Sequence, residues 1–364
     1  NTDVVESFQS EEELLQRFYQ KYLEINPTIL SGWNIDGFDI PYLYNRTKRV
    51  MGDSFANALS PIGEVYYNEN KRRFKIAGVS SLDYLKLYRW FTYTQQSSYR
   101  LDFIGQLEVN IGKIEYEGTL QDLYETDINK YIEYNLNDVK IVKRLDDKLK
   151  FIDLARSIAH KGHVPYEDIY HSSRYLEGAI LVYLKDLGVI APNKPNNQGY
   201  NRSDDERFSG AYVKEPIPGR YEWVYDLDLT SMYPSTIMSL NISPEMKLGK
   251  IIGWNAEEFM KGVEKTYTID IGGKTKTYSN VELKRLFDDN HISISSNGIM
   301  YRNDKKGLIP ALLERWFDER VEYKKLMKKH GNAGETDKYE YFHKRQLVTK
   351  ILLNSMYGVL GSPI

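Results

Sequence analysis

The sequence predicts a multidomain chain in which an α/β region is followed by an α+β region and then by a helical hairpin. Three observations carry this. The 364 residues are enough for two or three domains with cores of their own. The stretch APNKPNNQG at residues 191–199 is rich in Pro, Asn and Gly and reads as a boundary loop. Helix-like and strand-like apolar spacings alternate before that loop. After it, strand-like segments give way to two long helical stretches.

The elements follow in order. Residues 10–23 read as a helix, with Ser10 as its cap, Glu13 at the capping-box position and an apolar stripe of Leu14, Leu15, Phe18 and Leu23. Residues 28–33 read as a short buried strand and residues 40–49 as a helix. Residues 63–77 read as a β-hairpin with the polar NEN of residues 68–70 near its middle. A long helix is expected over 127–151, its apolar positions being Ile128, Ile132, Val139, Val142 and Leu149. Further helices run to about residue 187. Residues 213–233 read as strand-rich, with Pro216, Pro218 and Gly219 marking a turn. Residues 266–279 read as a hairpin turning at Gly272 and Gly273. From residue 308 the pattern is helical, breaks at the GNAG of 331–334, and resumes to about 356. There is no internal repeat and no low-complexity tract.

Composition narrows the function classes. At 41% hydrophobic and 27% charged residues, the chain has the make-up of an ordinary globular protein. It has no Cys, which excludes disulfides and thiolate metal sites and fits a reducing compartment. The longest apolar runs fall far short of a membrane span, so no membrane partner is expected. The first residues carry neither a basic nor an apolar signal segment, and there is no initiator Met; the expectation is that the sequence begins inside a longer protein. The net charge of −2 decides little, because a large enzyme need only be basic locally. Residues 319–350 are locally basic, with nine Lys or Arg against five Asp or Glu. By charge alone that is a solvated helical face. Tyr is abundant, at 30 residues; Tyr stacks on bases, but most of these rings are expected to be ordinary packing.

Four motifs carry chemistry. In GWNIDGFDIPY, residues 32–42, a strand end and a Gly turn place Asp39 just before a helix. That is a good position for a carboxylate facing a metal, and metal-assisted phosphodiester cleavage needs several such carboxylates. The plainer alternative is that Asp39 caps the helix. In YNLND, residues 134–138, Tyr134 and Asp138 share one helical face, so a phenol could orient a water while the carboxylate holds the metal that activates it. Alone, that spacing is also met by a solvated Tyr and Asp. In DLDLTSMYPS, residues 226–235, a strand ending in a carboxylate and turning into a helix suits a metal-bound triphosphate, with turn N–H groups on phosphate oxygens. Asp226 and Asp228 lie on the same strand face, so spacing does not choose between them. In KILLNSMYG, residues 350–358, Lys350, Asn354 and Tyr357 line one helical face, and Gly358 permits close approach of a nucleic acid backbone. Arg320 and Lys324 are one turn apart on the preceding helix. Two antiparallel helices would then offer three cations to one triphosphate, although the pair could equally be surface charge.

At these residues the sequence resembles the family B DNA polymerases, and most of all their T4-like bacteriophage branch. FDIPY at 38–42 is similar to the family's second exonuclease motif, and Tyr134 with Asp138 to its third. DLTSMYPS at 228–235 resembles polymerase motif A, and KILLNSMYG at 350–358 resembles motif B. SGAYVKEP at 209–216 resembles the segment linking exonuclease and palm. SNGIMY at 296–301 and GLIP at 307–310 resemble the approach to the fingers. Order and spacing cover nearly the whole chain.

The resemblance implies a fold and a set of roles. It implies an incomplete ribonuclease-H-like 3′-5′ exonuclease domain at 1–152 and connecting helices and loop at 153–206. The N-terminal part of a family B palm would follow at 207–306, and helical-hairpin fingers at 307–364. Asp39 and Asp138 would bind Mg²⁺ for the exonuclease, with Tyr134 near the attacking water. Asp228, which the motif selects over Asp226, would hold the polymerase metals with the backbone of Leu229. The turn of Leu229, Ser231 and Met232 would meet the nucleotide, and Tyr233 would be the steric gate against ribonucleotides. Arg320, Lys324, Lys350 and Asn354 would grip the triphosphate, and Tyr357 would sit by the nascent base pair. Two Mg²⁺ ions would serve each active site of the complete enzyme. The expected partners are primer–template DNA, deoxynucleoside triphosphates and, through regions outside this sequence, a sliding clamp and other replisome proteins. The expected location is the cytoplasm of a phage-infected bacterium. The hairpin near residues 64–75 resembles one associated with moving a primer between the two sites.

The departures are equally specific. The family's first exonuclease motif, Asp-x-Glu, would lie upstream, and motif C, Asp-Thr-Asp, would lie downstream. The isolated chain is therefore expected to be weak or inactive in both reactions. The alternatives are one subunit of a split polymerase and a non-catalytic DNA-binding relic.

Overall fold

In a computed structural model the chain divides into two compact units, residues 1–179 with 326–348 and residues 180–325 with 349–364. The structure describes residues 4–92, 94–193 and 212–360. The boundary loop expected at 191–199 therefore lies largely outside the described residues, as do residues 209–211 of the 209–216 segment.

The first unit opens with α1 (Glu11–Ile25), capped by Ser10, whose hydroxyl accepts the Glu13 N–H. The Glu13 carboxylate reaches back one residue further than expected and accepts from the Gln9 N–H. The expected stripe is displaced by one position. Leu15 and Tyr19 are buried, while Leu14, Phe18 and Leu23 are exposed. Tyr19 and Tyr22 bury their rings, and Tyr22 hands its hydroxyl to the Leu59 carbonyl at 2.9 Å, so amphipathic rings form the face that faces the core.

β1 (Ile29–Leu30) leads through a turn to α2 (Asp39–Met51) and the short α3 (Asp53–Asn57). β2 (Val65–Asn68) and β3 (Arg73–Ile76) form the expected antiparallel hairpin. β4 (Ser80–Ser81) pairs parallel with β1. Ile35, Ile40, Tyr44, Leu59, Val65 and Ile76 close one core beneath α1 and the hairpin.

α4 (Tyr84–Phe91), α5 (Leu101–Val109), α6 (Leu120–Thr126), α7 (Ile128–Leu149) and α8 (Phe151–Gly162) follow. α7 is the long helix expected at 127–151, capped by Asp127. Its buried positions are Ile141 and Leu145; Ile128 and Val139 are exposed, so the expected stripe is corrected here too. α9 (Ser172–Asp186) completes the helices expected up to residue 187.

The second unit is built differently. The segment expected to be strand-rich at 213–233 forms no strand among its described residues. It is exposed almost throughout, with Leu227 at 94%. An extended backbone becomes a strand only when a neighbour takes its N–H and C=O groups, and no described strand pairs with it.

α10 (Met232–Leu240) then leads to β5 (Lys247–Ile252) and α11 (Ala256–Met260). β6 (Thr266–Ile271) and β7 (Lys274–Ser279) follow, then α12 (Asn280–Asp289), β8 (Ile292–Ile294) and β9 (Ile299–Arg302). The five strands form one antiparallel sheet in the order β7-β6-β5-β9-β8. Gly272 and Gly273 turn the β6–β7 hairpin as expected, both at positive φ (59° and 83°), as a two-residue primed turn requires. Ile251, Tyr267, Ile269, Leu283, Phe287 and Met300 form the core between sheet and α12.

α13 (Leu308–Asn332) and α14 (Thr336–Leu360) are the two long helices, with the break where the glycines placed it. Gly334 takes φ 71°, and the His330 ring stacks on Phe342 at 5.4 Å as the chain folds back.

Candidate functional site

The first unit holds a cleft of about 1630 Å³, and Asp39, Tyr134 and Asp138 all line it. Residues 95 and more apart in sequence thus converge as their motifs required. The turn carrying Asp39 is pinned from below. Asp83, 1% exposed, caps α4 by accepting from Leu85 N at 3.0 Å. The same carboxylate accepts from Asn34 N at 3.1 Å and Asp36 N at 3.2 Å, tying the turn before α2 to the start of α4. Asp36 is itself buried at 6%. It is paired with Lys86 at 2.6 Å and Arg73 at 3.2 Å, and it accepts a hydrogen bond from the Ser81 hydroxyl. Burial alone would push the Asp36 carboxyl up; its hydrogen bonds to Lys86 and Ser81 outweigh that and hold it below the usual carboxylate range.

Asp39 does not cap α2. The cap position is Phe38, with no side-chain cap bond, and Asp39 is the first helical residue. It lines the cleft, and partial burial of its carboxyl pushes it above the usual range. The Phe38 and Tyr42 rings lie parallel on either side in sequence, 6.0 Å apart and exposed.

Tyr134 and Asp138 lie one turn apart on α7, joined by a residue that the motifs did not single out. Lys113 donates from Nζ to the Tyr134 hydroxyl at 2.8 Å and to Asp138 Oδ2 at 2.7 Å. Burial opposes the charge of Lys113, but these two bonds outweigh it and hold the ammonium above the usual Lys value. The other oxygen, Asp138 Oδ1, is buried and has no hydrogen-bond partner. A buried carboxylate oxygen left open beside a cation is a fitting ligand for a metal ion. Among the described residues, however, no group of three or more His, Asp or Glu is arranged to hold one. Lys113 lies 21 residues from Tyr134 in a segment without regular spacing, so no periodic signal could have found it.

In the second unit, the segments at 228–235 and 350–358 meet. The rings of Tyr233, on α10, and Tyr357, on α14, stack at 4.1 Å with 12° between planes. Thr349, Leu352, Leu353 and Met356 are buried, which turns Lys350, Asn354 and Tyr357 outward together on the opposite face of α14. A Cβ on Gly358 would meet open space, in keeping with a face free for a ligand. Ser231 precedes α10 in the left-handed region, φ 51°, and Met232 is its first residue, half-exposed. Asp226, Asp228 and Leu229 lie on the exposed segment before it. Neither carboxylate has an ion-pair or hydrogen-bond partner among the described residues, so the geometry leaves the choice between them open.

The end of α10 is fastened to the start of α13. Buried Asn241 donates to the carbonyls of Arg302 and Lys305 and accepts from Gly307 N at 2.8 Å. Glu245 accepts from Leu308 N at 2.6 Å and Ser243 from Ile309 N at 3.3 Å, covering N–H groups at the first turn of α13. On that helix Lys324 is exposed. Arg320 is partly buried, with its Nε without a partner.

Both halves of the chain match known protein families. "DNA polymerase family B" matches residues 169–363 and "DNA polymerase family B, exonuclease domain" matches residues 1–104. The chain belongs to the family B DNA polymerases and carries parts of its exonuclease and polymerase domains. It is 34% identical over 335 residues to the DNA-directed DNA polymerase of Escherichia phage RB69, covering 90% of this chain and 34% of the relative. To the DNA-directed DNA polymerase of Enterobacteria phage T4 it is 29% identical over 409 residues, covering 98% and 42%. A DNA polymerase of Pyrococcus glycovorans is 27% identical over 374 residues, covering 98% and 41%. The chain thus spans between 34% and 42% of the length of these relatives. No helix among the described residues is long and apolar enough to cross a membrane.

Proposed function

We propose that this chain is part of a DNA-directed DNA polymerase that extends a primer from deoxynucleoside triphosphates and removes mispaired 3′ ends at a separate hydrolytic site. The observation that carries the reading is the convergence of Asp39, Tyr134 and Asp138 on one cleft, in a chain whose two tyrosines from motifs A and B also stack. The domains are read as a ribonuclease-H-like exonuclease at 1–152, a connection at 153–206, palm at 207–306 and fingers at 307–364.

In the exonuclease, Asp39 and Asp138 would hold Mg²⁺, with open Asp138 Oδ1 as the available ligand atom. A divalent ion there would supply charge neutralisation and an acidified water. Tyr134 would orient that water, and Lys113 bridges the Tyr134 hydroxyl and the Asp138 carboxylate. In the polymerase, Asp228 and the Leu229 backbone would hold Mg²⁺. Arg320, Lys324, Lys350 and Asn354 meet the triphosphate, along with the turn of Ser231 and Met232. Tyr233 lies under the sugar and rejects ribonucleotides, and Tyr357, against which it stacks, borders the nascent pair.

The test is primer–template binding followed by fluorescence anisotropy. A matched deoxynucleotide is expected to tighten the complex and a mismatched one not to. Lys350→Ala is expected to abolish the tightening. Tightening by every nucleotide alike, or undiminished in Lys350→Ala, would refute the reading.

A further inference from the structure

The exonuclease cleft has a charge problem. Asp39, Asp102, Glu115, Asp138, Asp146 and Asp147 all line it, and its proposed substrate is a polyanion. Four cations line it too. Two of them are already engaged, Lys113 with Asp138 at 2.7 Å and Lys143 with Asp147 at 3.3 Å. Arg89 and Arg100 are not; neither forms an ion pair with a described residue, and both are exposed to the cleft.

Arg89 is nevertheless held in place. It lies in the last turn of α4, and its guanidinium lies over the Tyr99 ring at 4.3 Å. Tyr99 is fastened in turn. Its carbonyl accepts from Trp33 Nε1 at 3.1 Å, and its ring meets the fully buried Tyr88 edge-on at 6.4 Å. Trp33 adjoins Asn34, the residue that Asp83 clamps, so the platform under Arg89 and the turn bearing Asp39 share one anchor. Arg100 follows Tyr99 directly and opens α5 at its cap position, with no side-chain cap bond to occupy it. A guanidinium held over an aromatic face still has N–H groups to offer phosphate oxygens.

We infer that Arg89, set on Tyr99, and Arg100 form the phosphate-binding wall of this cleft and take backbone phosphodiesters of single-stranded DNA. The inference rests on the exonuclease reading and adds the residues that overcome the acidic lining.

The test is the binding of fluorescein-labelled oligothymidylate by the full chain in EDTA, across a salt series. It is run in a Lys324→Ala, Lys350→Ala background, so that cations of the other proposed site do not contribute. Each single-strand phosphate contact adds about 0.7 to the slope of log K against log salt. Arg89→Gln with Arg100→Gln is expected to flatten the slope by about 1.4 and to weaken binding about tenfold or more at low salt. Arg89→Lys, which keeps the charge, retains most of the slope, and Arg49→Gln, on α2, leaves it unchanged. If the background chain binds no oligothymidylate, the exonuclease reading and this inference fall together. If it binds and the double variant keeps the same slope, or if Arg49→Gln flattens it equally, this inference alone is overturned.

Discussion

Asp83 offers the sharpest test of how the exonuclease turn is held. In Asp83→Ala, four backbone N–H groups lose an acceptor: Leu85 and Lys86 at the start of α4, and Asn34 and Asp36 in the turn before Asp39. Loss of a helix cap costs about 1 kcal/mol. Each buried N–H left without a partner costs about 1–3 kcal/mol, and at 1% exposure water does not reach this site readily. Relaxation of the turn puts the expected total at roughly 3–5 kcal/mol. Asp83→Asn keeps one acceptor oxygen but turns an N–H toward Asp36 N, so its cost is about 1–2 kcal/mol. Burial, with Asp36 nearby, also pushes the Asp83 carboxyl up, so the neutral amide avoids part of a charge that the fold disfavours. The assay is amide hydrogen exchange, read at residues 32–40 and, as an internal reference, at residues 266–279. Protection is expected to fall at the first segment and hold at the second, by far more for Ala than for Asn. A loss below about 1 kcal/mol for Ala, the size of a helix cap alone, or equal losses for Ala and Asn, would refute the clamp.

Because the Asp36 carboxyl is depressed in the folded state, its contribution to stability is fully present above the ordinary Asp range and is lost as pH falls below it. Asp36→Asn is expected to remove that acid-dependent part in an acid-unfolding titration. It should also destabilise at neutral pH by about 3 kcal/mol or more, since it leaves Arg73 and Lys86 facing a neutral amide. A parallel acid profile in the variant would count against it. The stack of Tyr233 on Tyr357 is half-exposed, so a double-mutant cycle with Tyr233→Ala and Tyr357→Ala is expected to give a coupling of about 0.5–1 kcal/mol, measured by urea unfolding. The Tyr233→Ala chain should let a ribonucleotide tighten the primer–template complex as well as its deoxy counterpart does.

What was legible in the sequence were the signals written locally. Ser10, the paired glycines at 272 and 273 and the GNAG break gave helix starts, a hairpin turn and a helix end, because each depends on a few adjacent residues. Apolar stripes were less reliable. In α1 the buried face is built on tyrosines, and in α7 Val139 faces the cleft instead of the core, so counting aliphatic residues chose the wrong edge. The segment at 213–233 has strand-like residues, but a strand is a property of two chains, and no described partner takes up its hydrogen bonds. The motifs brought Asp39, Tyr134 and Asp138 to one cleft. They could not supply Lys113, Asp83 or Asp36, whose roles come from contacts 21 to 50 residues away and leave no spacing to read.

The most direct measurement is Mn²⁺ binding by the full chain, followed by electron paramagnetic resonance, in the wild type and in Asp39→Ala and Asp138→Ala. The account predicts a class of bound Mn²⁺ that disappears in either variant while the chain stays folded by circular dichroism. An unchanged binding isotherm in both variants would contradict the assignment of Asp39 and Asp138 to one metal-holding cleft.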